Sequence, residues 1–142
     1  MKTRFTVIAI LAFVGMVDAL YLSIKRNAGP IPCHVTRGCT DVLTSKYSEI
    51  ASIPLSWFGV AFYVVMFSLA VFKIFEDPKR PVQWLTGWIF YLAGAALVVS
   101  ALLVGIQAFI LNAFCEYCLL SAALVLTMFL LAPNPARRKL PE

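Results

Sequence analysis

The chain has 142 residues, is 61% hydrophobic and only 13% charged, and carries a net charge of +5. A soluble domain is about half apolar and about a quarter charged, so this balance excludes a soluble globular protein and leaves a one-domain integral membrane protein, residues 1–142. The basic residues flank apolar runs and form no continuous stripe, which argues against a nucleic-acid surface and for contact with membrane headgroups.

A helix needs about 20 mainly apolar residues to cross a bilayer. The first such segment runs from Phe5 to Ile24, behind the basic start Met1-Lys2-Thr3-Arg4. It is longer than the core of a signal peptide and lacks a small-residue cleavage site, so it is expected to stay as a span. Asp18 lies inside it, about two turns from its outer end. An acid within a span is costly, and its expected role is a proton route or a hydrogen-bonded group facing the bundle.

Lys25 to Ile53 is the one long connection, opened by the turn formers Asn27, Gly29, Pro30 and Pro32. After Cys39, the residues Val42, Leu43, Lys46, Tyr47 and Ile50 recur at helical spacing, and Thr40 or Asp41 can cap the start. The pattern predicts a short amphipathic helix lying on the outer rim of the bundle as a lid.

The second span is expected from Leu55 to Phe75, with Pro54 at its opening turn. The third, from Val82 to Leu111, is longer than the bilayer needs and should tilt or protrude. Its Gly87, Gly94 and Gly105, with Ala93, Ala95 and Ala96, permit close helix packing. The fourth, from Cys115 to Leu131, is closed by Pro133 and Pro135. The expected fold is an all-α bundle of four transmembrane helices, with a long outer loop that carries the lid helix.

Orientation follows from charge. Lys2, Arg4, Lys73, Lys79, Arg80, Arg137, Arg138 and Lys139 fall on one side, and Lys25, Arg26, Arg37 and Lys46 on the other. The positive-inside rule puts both termini in the cytoplasm of a cell that holds this chain in its inner membrane. The pair Lys25 and Arg26 runs against the rule. On this reading Cys33, Cys39, Cys115 and Cys118 all face the extracytoplasmic side, where disulfides persist.

These four cysteines form a C-x5-C in the loop and a C-x2-C at the mouth of the last helix. Unsatisfied N–H groups and the helix dipole favour a thiolate at a helix N-terminus. Electron transfer between such pairs requires a thiolate that can reach a partner sulfur, and Gly38 gives the loop the freedom to bring one over. Two other readings stand beside the relay. Both pairs can be structural disulfides that staple an outer loop in a non-enzymatic membrane protein. Ligand count also permits a zinc site, although C-x5-C is wider than the usual spacing of zinc ligands.

Taken in order, Gly15, Tyr21-Leu22, Cys33-x5-Cys39, Val42-Leu43, Ser45-Lys46-Tyr47, Ile53-Pro54-Leu55-Ser56, Gly59, Tyr63 and Cys115-Glu116-Tyr117-Cys118 resemble the vitamin K epoxide reductase family, in particular its small bacterial and archaeal homologues. The resemblance covers nearly the whole chain. It implies a four-helix bundle around a membrane quinone, either ubiquinone or menaquinone, and a two-disulfide relay. Cys33 would meet a thioredoxin-fold protein, Cys39 would pass electrons to Cys115, and Cys118 would reduce the quinone. Many homologues carry a fused thioredoxin-like domain. These 142 residues hold none, so a separate DsbA-like partner is expected. Leu55 and Ala122 occupy the places of an asparagine and a tyrosine in the animal enzymes, which speaks against vitamin K epoxide as substrate. The DsbB type of quinone-linked disulfide generator carries its two pairs in the reverse order.

Ser45, Ser56 and Gln107 are candidates for hydrogen bonds to a quinone, and Phe58, Tyr63, Phe109, Phe114 and Tyr117 for the walls of its site. The simpler role for each is helix packing or an interface belt. His34, beside Cys33, is a candidate for easing thiolate formation there or a solvated loop residue. Glu116, if ionised, works against a thiolate beside it.

Overall fold

The computed structural model describes residues 2–28, 49–50, 53–76, 79, 83–112 and 116–133. Four long helices dominate it. Helix α1 spans Lys2–Ala28, α2 Leu55–Ile74, α3 Gln83–Ile106 and α4 Glu116–Leu131. A two-residue strand β1, Glu49–Ile50, pairs antiparallel with β2, Ile53–Pro54, in the register Glu49 to Pro54 and Ile50 to Ile53. This small ladder delivers the chain directly into α2.

Each helix ends where its local chemistry requires. Helix α1 outruns the apolar stretch by four residues, because Lys25 and Arg26 end the hydropathy but not the helical propensity; the breakers Gly29 and Pro30 come only later. Helix α2 starts immediately after Pro54, and Lys73 lies in its last turn, where a cation complements the helix dipole. Helix α3 continues into a π-helical turn, Gln107–Leu111. That turn closes at Asn112, which adopts a left-handed conformation (φ 49°) and donates its backbone N–H to the Gln107 carbonyl. Helix α4 opens on Glu116, an acid at the positive end of the dipole.

Three helical stretches, Thr3–Lys25, Leu55–Ile74 and Trp84–Ile110, are long and apolar enough to cross a membrane. Helix α4 is apolar but has only 16 residues. The expected lid helix falls largely on residues outside those described. Its pattern reached Ile50, whereas Glu49–Ile50 is strand, so the helical spacing does not carry to the end of the loop.

The helices form a ring in chain order. Helix α1 packs most extensively on α2, α3 packs on α4, α4 closes back onto α1, and of these neighbours α2 and α3 touch least. Consecutive helices are antiparallel: Phe5 at the start of α1 lies by Lys73 at the end of α2, and Ala19 faces Gly59 near the start of α2. The core joins Ile8 and Ala12 of α1, Tyr63, Met66 and Ala70 of α2, Ile89 and Ala93 of α3, and Val125 and Met128 of α4. Large apolar side chains such as Phe13, Phe72, Trp88 and Leu130 face outwards, as lipid contact requires. Away from the site, Lys73 is buried, ion-paired with Glu76 at 2.5 Å and held 5.6 Å from the Phe5 ring centroid.

Close approach of α1 and α2 depends on Gly15. A Cβ there would collide with the ring of Tyr63, so α1 meets α2 with no side chain between backbone and ring. Gly15→Ala is expected to overpack this contact and cost about 1–3 kcal/mol, read as a lower Tm of the purified protein in detergent. An unchanged Tm would mean that the Tyr63 ring can move aside at little cost.

Candidate functional site

Because α1 and α3 run towards the end of the bundle from which α2 and α4 depart, their residues converge there. Asp18, Ala19 and Leu22 of α1, Leu55 to Tyr63 of α2, Leu92 to Gln107 of α3 and Cys118 to Val125 of α4 all contribute to one cavity of about 360 Å³. Small-molecule sites typically enclose about 300–1,000 Å³ behind mainly apolar walls with a few polar groups. This cavity has that character. Phe58, Phe62, Leu92, Ala96, Val99 and Leu103 supply apolar surface, and Asp18, Ser56, Ser100, Gln107, Cys118 and Ser121 the polar atoms. Phe58 on α2 and Val99 on α3 line it while remaining about half exposed, so the cavity reaches the lipid-facing surface in the seam between these two helices.

Cys118 lies half-buried in the wall, in the first turn of α4. Three residues on, Ser121 shares its face of the helix, and its Oγ and carbonyl oxygen lie 2.6 Å and 3.2 Å from the Tyr63 hydroxyl. Tyr63 is 1% exposed and ties α2 to α4 at the base of the cavity. Gln107 is 3% exposed and begins the π-helical turn. Such turns insert an extra residue into a helix and frequently occur at functional sites. Asp18 is 8% exposed, and its Oδ2 has no hydrogen-bond partner among the described residues. At the outer rim the rings of Tyr21 and Tyr117 meet at 5.4 Å, and Lys25 Nζ lies 6.0 Å from the Tyr21 ring centroid.

Of the candidates read from the sequence, Ser56, Phe58, Tyr63, Gln107 and Cys118 come together on this cavity. Leu55 and Ala122, the two positions at which the chain departs from the animal enzymes, line it as well. Phe109 does not: it is 86% exposed on the outside of the π-helical turn. Tyr117 stands at the rim against Tyr21 and not in the wall. Cys33, His34, Cys39, Ser45, Phe114 and Cys115 lie outside the described residues. Ser121 and Ser100 were not singled out. A signal for each existed, because Ser121 follows Cys118 by three residues and Ser100 precedes Gln107 by seven, both helical repeats of one face. Among the described residues no cluster of His, Cys, Asp or Glu could hold a metal ion.

The sequence model of the Vitamin K epoxide reductase family matches residues 6–132, nearly the whole chain. The chain belongs to this family. Comparison with curated protein sequences gives no match. Membership makes the protein a membrane thiol oxidoreductase of a generally quinone-linked kind. In this vitamin K epoxide reductase family member, a half-buried cysteine at a helix N-terminus faces an apolar cavity that opens to lipid. A thiol there can exchange electrons with a lipophilic acceptor without leaving the membrane.

Proposed function

We propose that the protein reoxidises a separate extracytoplasmic thioredoxin-fold protein of the DsbA-like kind and passes the electrons through two cysteine pairs to a membrane quinone, supporting disulfide formation outside the cytoplasm. All four helices cross the membrane in this reading, with both termini inside and all four cysteines outside. The observation that carries it is Cys118 on the wall of a cavity with apolar surface and few polar groups, in a chain of this family.

The cavity has the features a quinone requires. A flat, lipophilic ring with two carbonyl oxygens needs apolar walls, hydrogen-bond donors and an exit for its tail. Phe58, Phe62, Leu103 and Val104 offer the walls, Ser56 and Gln107 the donors, and the seam between α2 and α3 the exit. The residues fit. A bound quinone supplies an acceptor for two electrons and two protons, which is what two thiols release on becoming one disulfide.

The cysteines divide this work. Cys33, in the loop, receives the attack of the partner's thiolate, and Cys39 carries the exchange to Cys115. Cys118, on the cavity wall, completes the second pair and passes its electrons inward. The unsatisfied N–H groups at the start of α4 stabilise a thiolate at this end of the helix. Ser45 and Phe114 would complete the polar and aromatic rim.

Optical assay of the purified protein in detergent tests the reading, with a short-chain ubiquinone or menaquinone as acceptor and either a reduced thioredoxin-fold protein or dithiothreitol as donor. Turnover with both donors is expected. Cys33→Ala should lower the rate by at least ~100-fold with the protein donor and by much less with dithiothreitol. Equal losses with the two donors would remove Cys33 from its place at the head of the relay. No turnover with either quinone, in protein shown to be folded, would leave a stapled, non-enzymatic membrane protein.

A further inference from the structure

Electrons reach the cavity from sulfur, but the protons must come from a group that touches the acceptor's oxygen. Among the described residues, Asp18 is the one side chain in the cavity wall that belongs to Asp, Glu, Lys, Arg or His. It is more than nine-tenths buried, and its Oδ2 has no partner among the described residues. An acid in that setting is costly unless it carries a proton or meets a ligand's donor or acceptor, so a purely structural role leaves its position unexplained. The phenol of Tyr63, the other ionisable oxygen in the wall, is already engaged with Ser121.

We infer that Asp18 is a catalytic residue which delivers a proton to a carbonyl oxygen of the quinone, an assignment that rests on the quinone reading above. Oxidation of the Cys115–Cys118 dithiol breaks two S–H bonds and forms one S–S bond. Two electrons and two protons pass to the quinone, giving the hydroquinone. One of these protons leaves the Asp18 O–H for a carbonyl oxygen, and the carboxylate then takes up a proton released by the thiols or drawn from the outer side. For the latter, Tyr21 stands about one turn further along α1, its ring 5.4 Å from that of Tyr117 of α4 and 6.0 Å from Lys25 Nζ.

Among the described residues, Tyr63 of α2 and Tyr117 of α4 interact electrostatically with Asp18, and Cys118 of α4 lines the same cavity. Helix α3 presents the uncharged Ser100 and Gln107. Among the described residues, Asp18 is the one carboxyl on this wall, and it can cycle its proton at each turnover without breaking a helix-to-helix hydrogen bond.

The test uses the 142-residue protein with dithiothreitol and a short-chain ubiquinone, so that no partner protein is needed. Turnover is measured across pH 5–9, and quinone binding is followed by quenching of tryptophan fluorescence. Asp18→Asn is expected to lower kcat by about 100-fold or more, to change the shape of the pH profile and to leave quinone binding within about threefold. Asp18→Glu, which keeps the carboxyl, should recover much of the rate. In the unmodified protein a hydrophobic carbodiimide should label Asp18, and the quinone should protect it; this arm decides if Asp18→Asn does not fold. Wild-type turnover that persists in Asp18→Asn with the same pH profile overturns the assignment and leaves the quinone reading intact. So does labelling of Asp18 that the quinone does not affect, or loss of binding in place of loss of rate. A wild-type protein that reduces no quinone overturns both.

Discussion

Replacing Cys118 by alanine is expected to lower quinone reduction by at least ~10³-fold while leaving the protein folded. The size of the effect follows from electron balance. Two thiols yield two electrons only by forming an S–S bond, and in the proposed relay the loss of Cys118 leaves Cys115 without a resolving partner. The side chain is small and half-buried, so its loss removes little packing and Tm should move by only a few degrees. The variant should also trap a mixed disulfide between Cys115 and the loop pair, visible as a change in mobility on a non-reducing gel. Full turnover in Cys118→Ala would place the terminal electron donor elsewhere.

Tyr63→Ala carries the largest expected loss of stability, about 3–5 kcal/mol, read from thermal unfolding in detergent. The ring is 1% exposed, lies against the bare backbone of Gly15, and its hydroxyl bonds to Ser121. Removing it opens a hole where α1, α2 and α4 meet. Tyr63→Phe keeps the ring and loses only the hydroxyl, for about 1 kcal/mol. The two Tyr63 variants therefore separate packing from hydrogen bonding. Gly15→Ala should cost almost nothing once Tyr63 is alanine, because the two positions share one contact. Additive losses in the double variant would show that Gly15 is needed for some other reason.

The helices were the most legible part of the chain. Leu55 as the first residue of α2, Leu111 as the end of the third helical stretch and Leu131 as the end of α4 follow from apolar runs bounded by Pro54, Asn112 and Pro133. The first helix is longer than its apolar run because the charges of Lys25 and Arg26 lower hydropathy without opposing helical propensity. The π-helical turn at Gln107–Leu111 left no trace in the sequence. An extra residue in a continuous apolar stretch changes no periodicity strong enough to read. The Glu49–Ile50 strand was equally hidden, since a two-residue ladder has too little alternation to compete with the helical spacing of the residues before it.

The candidate site was partly legible. Cysteine spacing singled out Cys118, and helical position brought Ser56, Tyr63 and Gln107 into consideration. Asp18 was visible as an acid in the wrong solvent, but only the fold shows that it looks into the same space as Cys118. Phe109 misled because an aromatic near the end of a span has the same composition signal whether it faces the bundle or the lipid, and within the π-helical turn it is exposed.

Helix α4 has 16 residues, about 24 Å of rise, whereas its neighbour α3 with the π-helical turn carries a 27-residue apolar stretch of about 40 Å. The hydrocarbon core of a bilayer is about 30 Å thick, so one helix undershoots it and the next overshoots. A membrane with short acyl chains relieves the first mismatch and a thick, sterol-rich one worsens it. The depth at which the Cys118 sulfur sits is therefore shared between protein and lipid. The acyl-chain length of the host membrane becomes a determinant of how easily this thiol and an acceptor dissolved in the membrane can meet.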